Sequence, residues 1–271
     1  KVGFDDSRWR EAGVVDGPKG QLVAQAMEPN RVVDVLKPVG LTEPQSGVWI
    51  VDFGQAFYGQ VRIKVRGSAG TTVRMTAAYS LKSDGTLKTV DNRNANCTDV
   101  YILNGLGEET WCPILRGQGF RRIQVTGWPG KPEAGQFEGL VVASDVAKVG
   151  NFECSNPLIN RIHRNIFWGA RMYKRHGVPL DPDRDERQGW LGDPAKDAES
   201  DAFNFNVAAF YSKWLGDIRL DQREDGSIGD ISPNFWDWGS GVLWPSVVTI
   251  IPEWLYDFYG DRRALEENYE A

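Results

Sequence analysis

The sequence predicts a two-part chain, an antiparallel β-sandwich followed by a helical half, and three observations predict it. From Val48 to about Val142 apolar residues recur at every second position, which puts alternate side chains on opposite faces of a strand. Glycine, proline and asparagine break that stretch at short intervals, as in a sandwich of short strands. After Gly150 the apolar spacing changes to three or four residues, the period of an amphipathic helix.

Taken in order, Val61, Ile63 and Val65 alternate with Arg62, Lys64 and Arg66, and a turn from Gly67 to Gly70 leads into Val73, Met75 and Ala77. This reads as a hairpin with one wet face. Val100 to Leu103, closed by Asn104-Gly105, and Arg122 to Thr126, before Gly127, Pro129 and Gly130, read as further strands. Ser155 and Pro157 make a helix start ahead of Leu158, Ile162 and Ile166 on one face. Phe203, Val207, Phe210, Trp214 and Ile218 mark a long helical stretch between Ala195 and Leu220, and Val247 to Tyr259 and Arg262 to Ala271 predict two more. The change of period sets a domain boundary near residue 147. Periodicity alone leaves a bundle, a solenoid or a closed helical barrel open for the second half.

Composition narrows the function. Thirty-seven acidic against 31 basic residues give a net charge of −6, which argues against nucleic acid as a partner, and no stretch has the length and apolarity of a membrane span. Three cysteines, Cys97, Cys112 and Cys154, form no CxxC pair and no disulfide framework. Two histidines leave little material for a histidine metal site or a Ser/His/Asp triad. Eleven tryptophans are unusual, because indoles are costly to place unless they build a core or stack on a flat apolar partner such as a sugar face. The chain starts without an apolar leader and stops inside a helical pattern, so both ends read as cut.

The densest chemistry lies in Gly177 to Asp193, where Asp181, Asp183, Asp185, Glu186 and Asp193 stand beside Arg184, Arg187 and Trp190. Glycoside hydrolysis needs one carboxylic acid to protonate the leaving oxygen and a second carboxylate across the sugar. Crowded like charges and burial against Trp190 would raise one carboxyl while the arginines hold the others ionised. The same cluster also reads as a solvated turn of compensating ion pairs.

The run Arg184, Asp185, Glu186, Arg187, Gly189, Trp190, Gly192, Asp193 resembles the signature of the family 78 α-L-rhamnosidases. Asp52, Phe53, Gly54 and Gln55 with Gly59, then Gly70 to Thr72, Gly107 to Trp111 and Gly119 to Arg121 resemble the family's β-domain landmarks. Gly3 to Asp6 and Trp9 resemble the tail of a preceding β-domain; Ala208 to Phe210, Lys213 to Leu215, Asp217 and Asp225 to Ser227 resemble the first helices of an (α/α)6 barrel. The implied division is a β-domain tail over 1–30, a β-sandwich over 31–146 and the first half of the catalytic barrel over 147–271.

The resemblance implies an inverting enzyme that acts on terminal rhamnose of glycans or glycosides without a cofactor or metal. It implies Glu186 as general acid, with Asp181, Arg184, Trp190, Asp193 and Trp244 around the sugar. Trp244, Trp236 and Trp238 also read as ordinary core residues. Two departures stand out: Asp181, Pro182, Asp183 is one residue shorter than the family run, and Trp244, Pro245, Ser246 stands where Trp-Gly-Asp is common. The family's general base is a glutamate that would fall beyond Ala271, so the remainder of a parent polypeptide is an expected partner and the 271 residues alone are expected to be inactive. Competing readings are a carbohydrate-binding scaffold and a helical-barrel glycosidase or lyase for another sugar.

Overall fold

The computed structural model describes every residue except 1, 2, 4, 183, 238 and 240, so Phe4, Asp183 and Trp238 lie outside the described residues. The strands in chain order are β1 Asn30–Leu36, β2 Gly40–Gln45, β3 Val48–Arg66, β4 Thr72–Ala78, β5 Ser80–Leu81, β6 Leu87–Lys88, β7 Thr98–Ile102, β8 Glu108–Trp111, β9 Gln118–Thr126 and β10 Phe137–Ser144. Among the described residues, eight of these form one antiparallel sheet in the order β1-β10-β3-β9-β4-β7, with β2 and β8 also paired to β3. The 19-residue β3 curls the sheet, because it changes neighbours along its length. Val48–Asp52 lies between β2 and β9, whereas Gly59–Arg66 pairs with β10 and β8, and the register breaks between Asp52 and Phe57.

The alternation at Val61, Ile63 and Val65 does what it predicts, since all three are buried. Phe57 and Phe120 pack with tilted rings 4.5 Å apart, and Phe53 meets each edge-on at the centre of this core. The expected hairpin is corrected: β3 and β4 do not pair, and β9 runs between them. Gly67 to Gly70 turns the chain, but a strand some fifty residues later supplies the hydrogen bonds.

Asp52 fixes the bend in β3. Its carboxylate accepts from Arg121 Nε at 2.8 Å and Nη2 at 3.1 Å and from the Gly54 N–H at 2.7 Å, and it pairs with Arg122 at 2.7 Å. Burial pushes this carboxyl up, but the hydrogen bonds and the two guanidinium charges outweigh it and hold it below 3.8. The stabilisation is therefore present above 3.8 and is lost as pH falls through the lower folded value. Asp52→Ala is expected to cost about 1–3 kcal/mol in urea unfolding at neutral pH. The gap to wild type should close in strong acid, and a gap that is constant with pH would refute the assignment.

The helical half holds α1 Pro157–Tyr173, a short hairpin of β11 Lys174–Arg175 and β12 Val178–Pro179, then α2 Gly192–Asn204, α3 Ala208–Asp221, α4 Val247–Tyr259 and α5 Arg262–Asn268. Asn156 caps α1 by accepting from Leu158 N–H at 2.9 Å, with Pro157 at the first helical position. The stretch expected between Ala195 and Leu220 is two helices, broken at Phe205–Val207, where Asn206 N–H turns to the carbonyl of Ala147. Phe210, Trp214, Ile218, Val247, Ile251 and Leu255 build a second core, distinct from that of the sandwich. Leu158, Ile162 and Ile166 share a face as predicted, yet that face is exposed rather than part of this core. Among the described residues, no helix is long and apolar enough to cross a membrane. None of the three cysteines is in a disulfide.

Candidate active site

The loop from Leu180 to Leu191 joins β12 to α2, and both halves of the chain hold it. From below, Arg175 is almost wholly buried; its guanidinium lies 3.8 Å from the Tyr58 ring and donates to the carbonyls of Leu180 and Asp181. From the sandwich, Gly119 N–H donates to the Pro182 carbonyl at 2.8 Å. From the α3–α4 connection, Ser232 N–H donates to Gly189 and Leu191 N–H donates to Asp230, both at 2.9 Å, with a bridge between Trp190 and Ile231.

These contacts give physical reasons for the glycines of the signature. A Cβ on Gly189 would stand 2.1 Å from the Ser232 carbonyl oxygen, and one on Gly192 would stand 2.6 Å from the Trp244 indole. Gly189 lets two backbones meet, and Gly192 lets Trp244 lie on the first turn of α2, one residue from Asp193. Trp244 is 38% exposed, so it is not an ordinary core residue, and Trp236 is likewise exposed.

Glu186 rises from the loop with most of its side chain covered. Its Oε1 is paired with Arg93 Nη1 and its Oε2 lies 3.6 Å from Arg184 Nη2. Arg184 and Arg187 both adopt left-handed backbone, φ 49° and 51°, unusual for non-glycine residues and common where a site holds its loop under strain. Arg184 Nε and Arg187 Nη2 are buried donors with no acceptor among the described residues. Such donors are rare in a finished fold.

Asp181 sits beneath the loop instead of at its open face. Its two oxygens accept the N–H groups of Arg187 at 2.8 Å and Gln188 at 2.6 Å, so the carboxylate fixes the turn that carries Glu186. Burial raises the Asp181 carboxyl, against its two backbone hydrogen bonds, and the charge of Glu186 adds to the rise. Asp193 is raised in the same way, first by the surrounding protein and then by Glu186. The sequence predicts one raised carboxyl in this cluster; the structure raises two that flank Glu186.

Sequence reasoning missed the contribution of the sandwich. Arg93 and Asn94 follow a single helical turn at Val90–Asn92 in a segment with no period and no motif. Asn94 N–H approaches Asp185 at 3.4 Å, and Arg93 reaches Glu186. Also missed was the buried set beneath the site, Lys174, Asp201 and Tyr211, which ties the end of α1 to α2 and α3. A cleft of about 220 Å³ opens above it, lined by Asp193, Asp197, Tyr173 and Pro179.

A curled β-sheet set against a helical half, with an Arg-Asp-Glu-Arg loop and tryptophans at their junction, defines a modular chain of one β and one helical part. Residues 147–271 match the bacterial alpha-L-rhamnosidase 6 hairpin glycosidase domain, and residues 42–143 match the bacterial alpha-L-rhamnosidase concanavalin-like domain. The chain belongs to the bacterial α-L-rhamnosidase family. An alpha-L-rhamnosidase of Streptomyces avermitilis is 41% identical over 98% of this chain and 26% of its own length; one of Formosa agariphila is 32% identical over 98% and 29%. Among solved structures, the alpha-L-rhamnosidase of Dictyoglumus thermophilum superposes with a TM-score of 0.94 at 41% identity, covering 99% of this chain and 31% of that one. The S. avermitilis enzyme complexed with L-rhamnose gives 0.93 at 41% identity, covering 98% and 26%. The chain thus spans between about a quarter and a third of the length of these relatives.

Proposed function

We propose that the protein carrying this chain hydrolyses terminal α-L-rhamnosides with inversion, Glu186 protonating the leaving oxygen. The observation that carries this reading is the grouping on one loop of Glu186 with Arg184, whose buried Nε has no acceptor among the described residues, within electrostatic reach of Asp193, with Trp244 lying against Gly192 where the loop enters α2. Arg184 and Asp193 would grip vicinal hydroxyls, and Trp190 and Trp244 would cover the apolar face and the 6-deoxy methyl group. Asp181 serves the same sugar through the loop it holds. The water-activating carboxylate is proposed to be the family's downstream glutamate, across the sugar from Glu186.

The test is product analysis of a rhamnosyl glycoside treated with the enzyme, followed by proton NMR from the first minutes. Free L-rhamnose appearing first as the β anomer is the expected result. An unsaturated ring, a different released sugar, or rhamnose appearing first as the α anomer would refute the reading.

A further inference from the structure

Resting on that function, we propose that Arg93 of the β-sandwich is a specificity-determining residue that binds the leaving-group side of the substrate. The acid must bring one oxygen within hydrogen-bond distance of the glycosidic oxygen. Glu186 offers two. Oε2 faces Arg184, on the loop of the helical half that also carries the sugar-binding set; Oε1 faces Arg93, which comes from the other half of the chain and whose side chain is half exposed. Whatever enters along Oε1 therefore comes into contact with a guanidinium that has five donors, no acceptor and open solvent on its outer side.

The partners of Arg93 favour a neutral ligand. Glu186 holds one edge, and Asp185 stands 4.0 Å away, so two carboxylates already face the one cation. A hydroxyl-rich aglycone, such as a neutral sugar, supplies acceptor oxygens at no further electrostatic cost. When the glycosidic oxygen takes its place on Glu186, the displaced N–H groups of Arg93 turn to aglycone oxygens beyond it. The sandwich in this way reads the leaving group, while the helical half reads the rhamnose.

The experiment compares two substrates of the full-length enzyme that both need protonation, an alkyl rhamnoside with no oxygen beyond the glycosidic one and a rhamnosyl-hexose. In Arg93→Ala, kcat/KM for the rhamnosyl-hexose is expected to fall about tenfold more than for the alkyl rhamnoside, chiefly through KM, the size of one charge-assisted hydrogen bond. Arg93→Lys should recover part of that preference. An equal fall on both substrates would mean that Arg93 acts only through Glu186, and no fall on either would mean that it acts on neither; each overturns the inference. A wild-type enzyme that cleaves neither rhamnoside would overturn the proposed function and this inference with it, which separates the two failures.

Discussion

Glu186→Gln in the full-length enzyme is expected to retain rhamnose binding and to lose most hydrolysis of natural rhamnosides, by about 10²–10⁴ in kcat. Glutamine keeps the shape and an acceptor oxygen for Arg93, and the main-chain carbonyl of residue 186 still accepts from Gln188 Nε2 at 2.7 Å, so the loop stays in place. The amide has no acidic proton to deliver. The defect should be large for sugar or flavonoid alkoxide leaving groups and much smaller for nitrophenol, which departs as an anion unaided. Parallel kinetics on the two substrate types, with rhamnose affinity measured by calorimetry, decide the matter. A defect of equal size on both, or a fully active variant, would move the proton donor to Asp185 or Asp193.

The parts of this fold that were legible in the sequence are those decided locally. Val61, Ile63 and Val65 announce a buried strand because a pleated strand with one wet face leaves that alternation in the residues themselves. Their partner could not be read, because β9 reaches β3 and β4 from far along the chain and no local turn encodes it. The break at Phe205–Val207 was hidden for a related reason: the apolar spacing continues through it, and what ends α2 is a tertiary contact from Asn206 to the sandwich–helix linker at Ala147. At the site, the resemblance of the Arg184 to Asp193 run to the family signature is what singled out Glu186, Arg184 and Asp193; their charge and spacing alone also fit a solvated turn. Arg93 lay in a stretch whose only functional property is where folding puts it.

Asp201→Ala is expected to destabilise the fold more than Asp52→Ala does, costing about 3–5 kcal/mol. Lys174 is buried and its Nζ lies 2.6 Å from Asp201 Oδ1 and 3.0 Å from the Ala170 carbonyl, while Tyr211 OH donates to the other oxygen of Asp201. Removing the carboxylate strands an ammonium group and a phenol that are both almost wholly buried. Burial already lowers the lysine below 10.5 against the pull of Asp201, and without that pull it falls further. The unfolded chain then holds a proton that the folded variant sheds, so the variant should regain stability as pH rises from the folded value towards 10.5. Replacing both partners, Lys174→Met with Asp201→Leu, removes the stranded charge and should cost less than Asp201→Ala alone. Denaturant unfolding of wild type, Asp201→Ala and the double variant at pH 7 and 9.5 tests all of this. A single variant no less stable than the double, or one whose deficit at pH 9.5 equals that at pH 7, would show that the pair is not the tie between α1, α2 and α3.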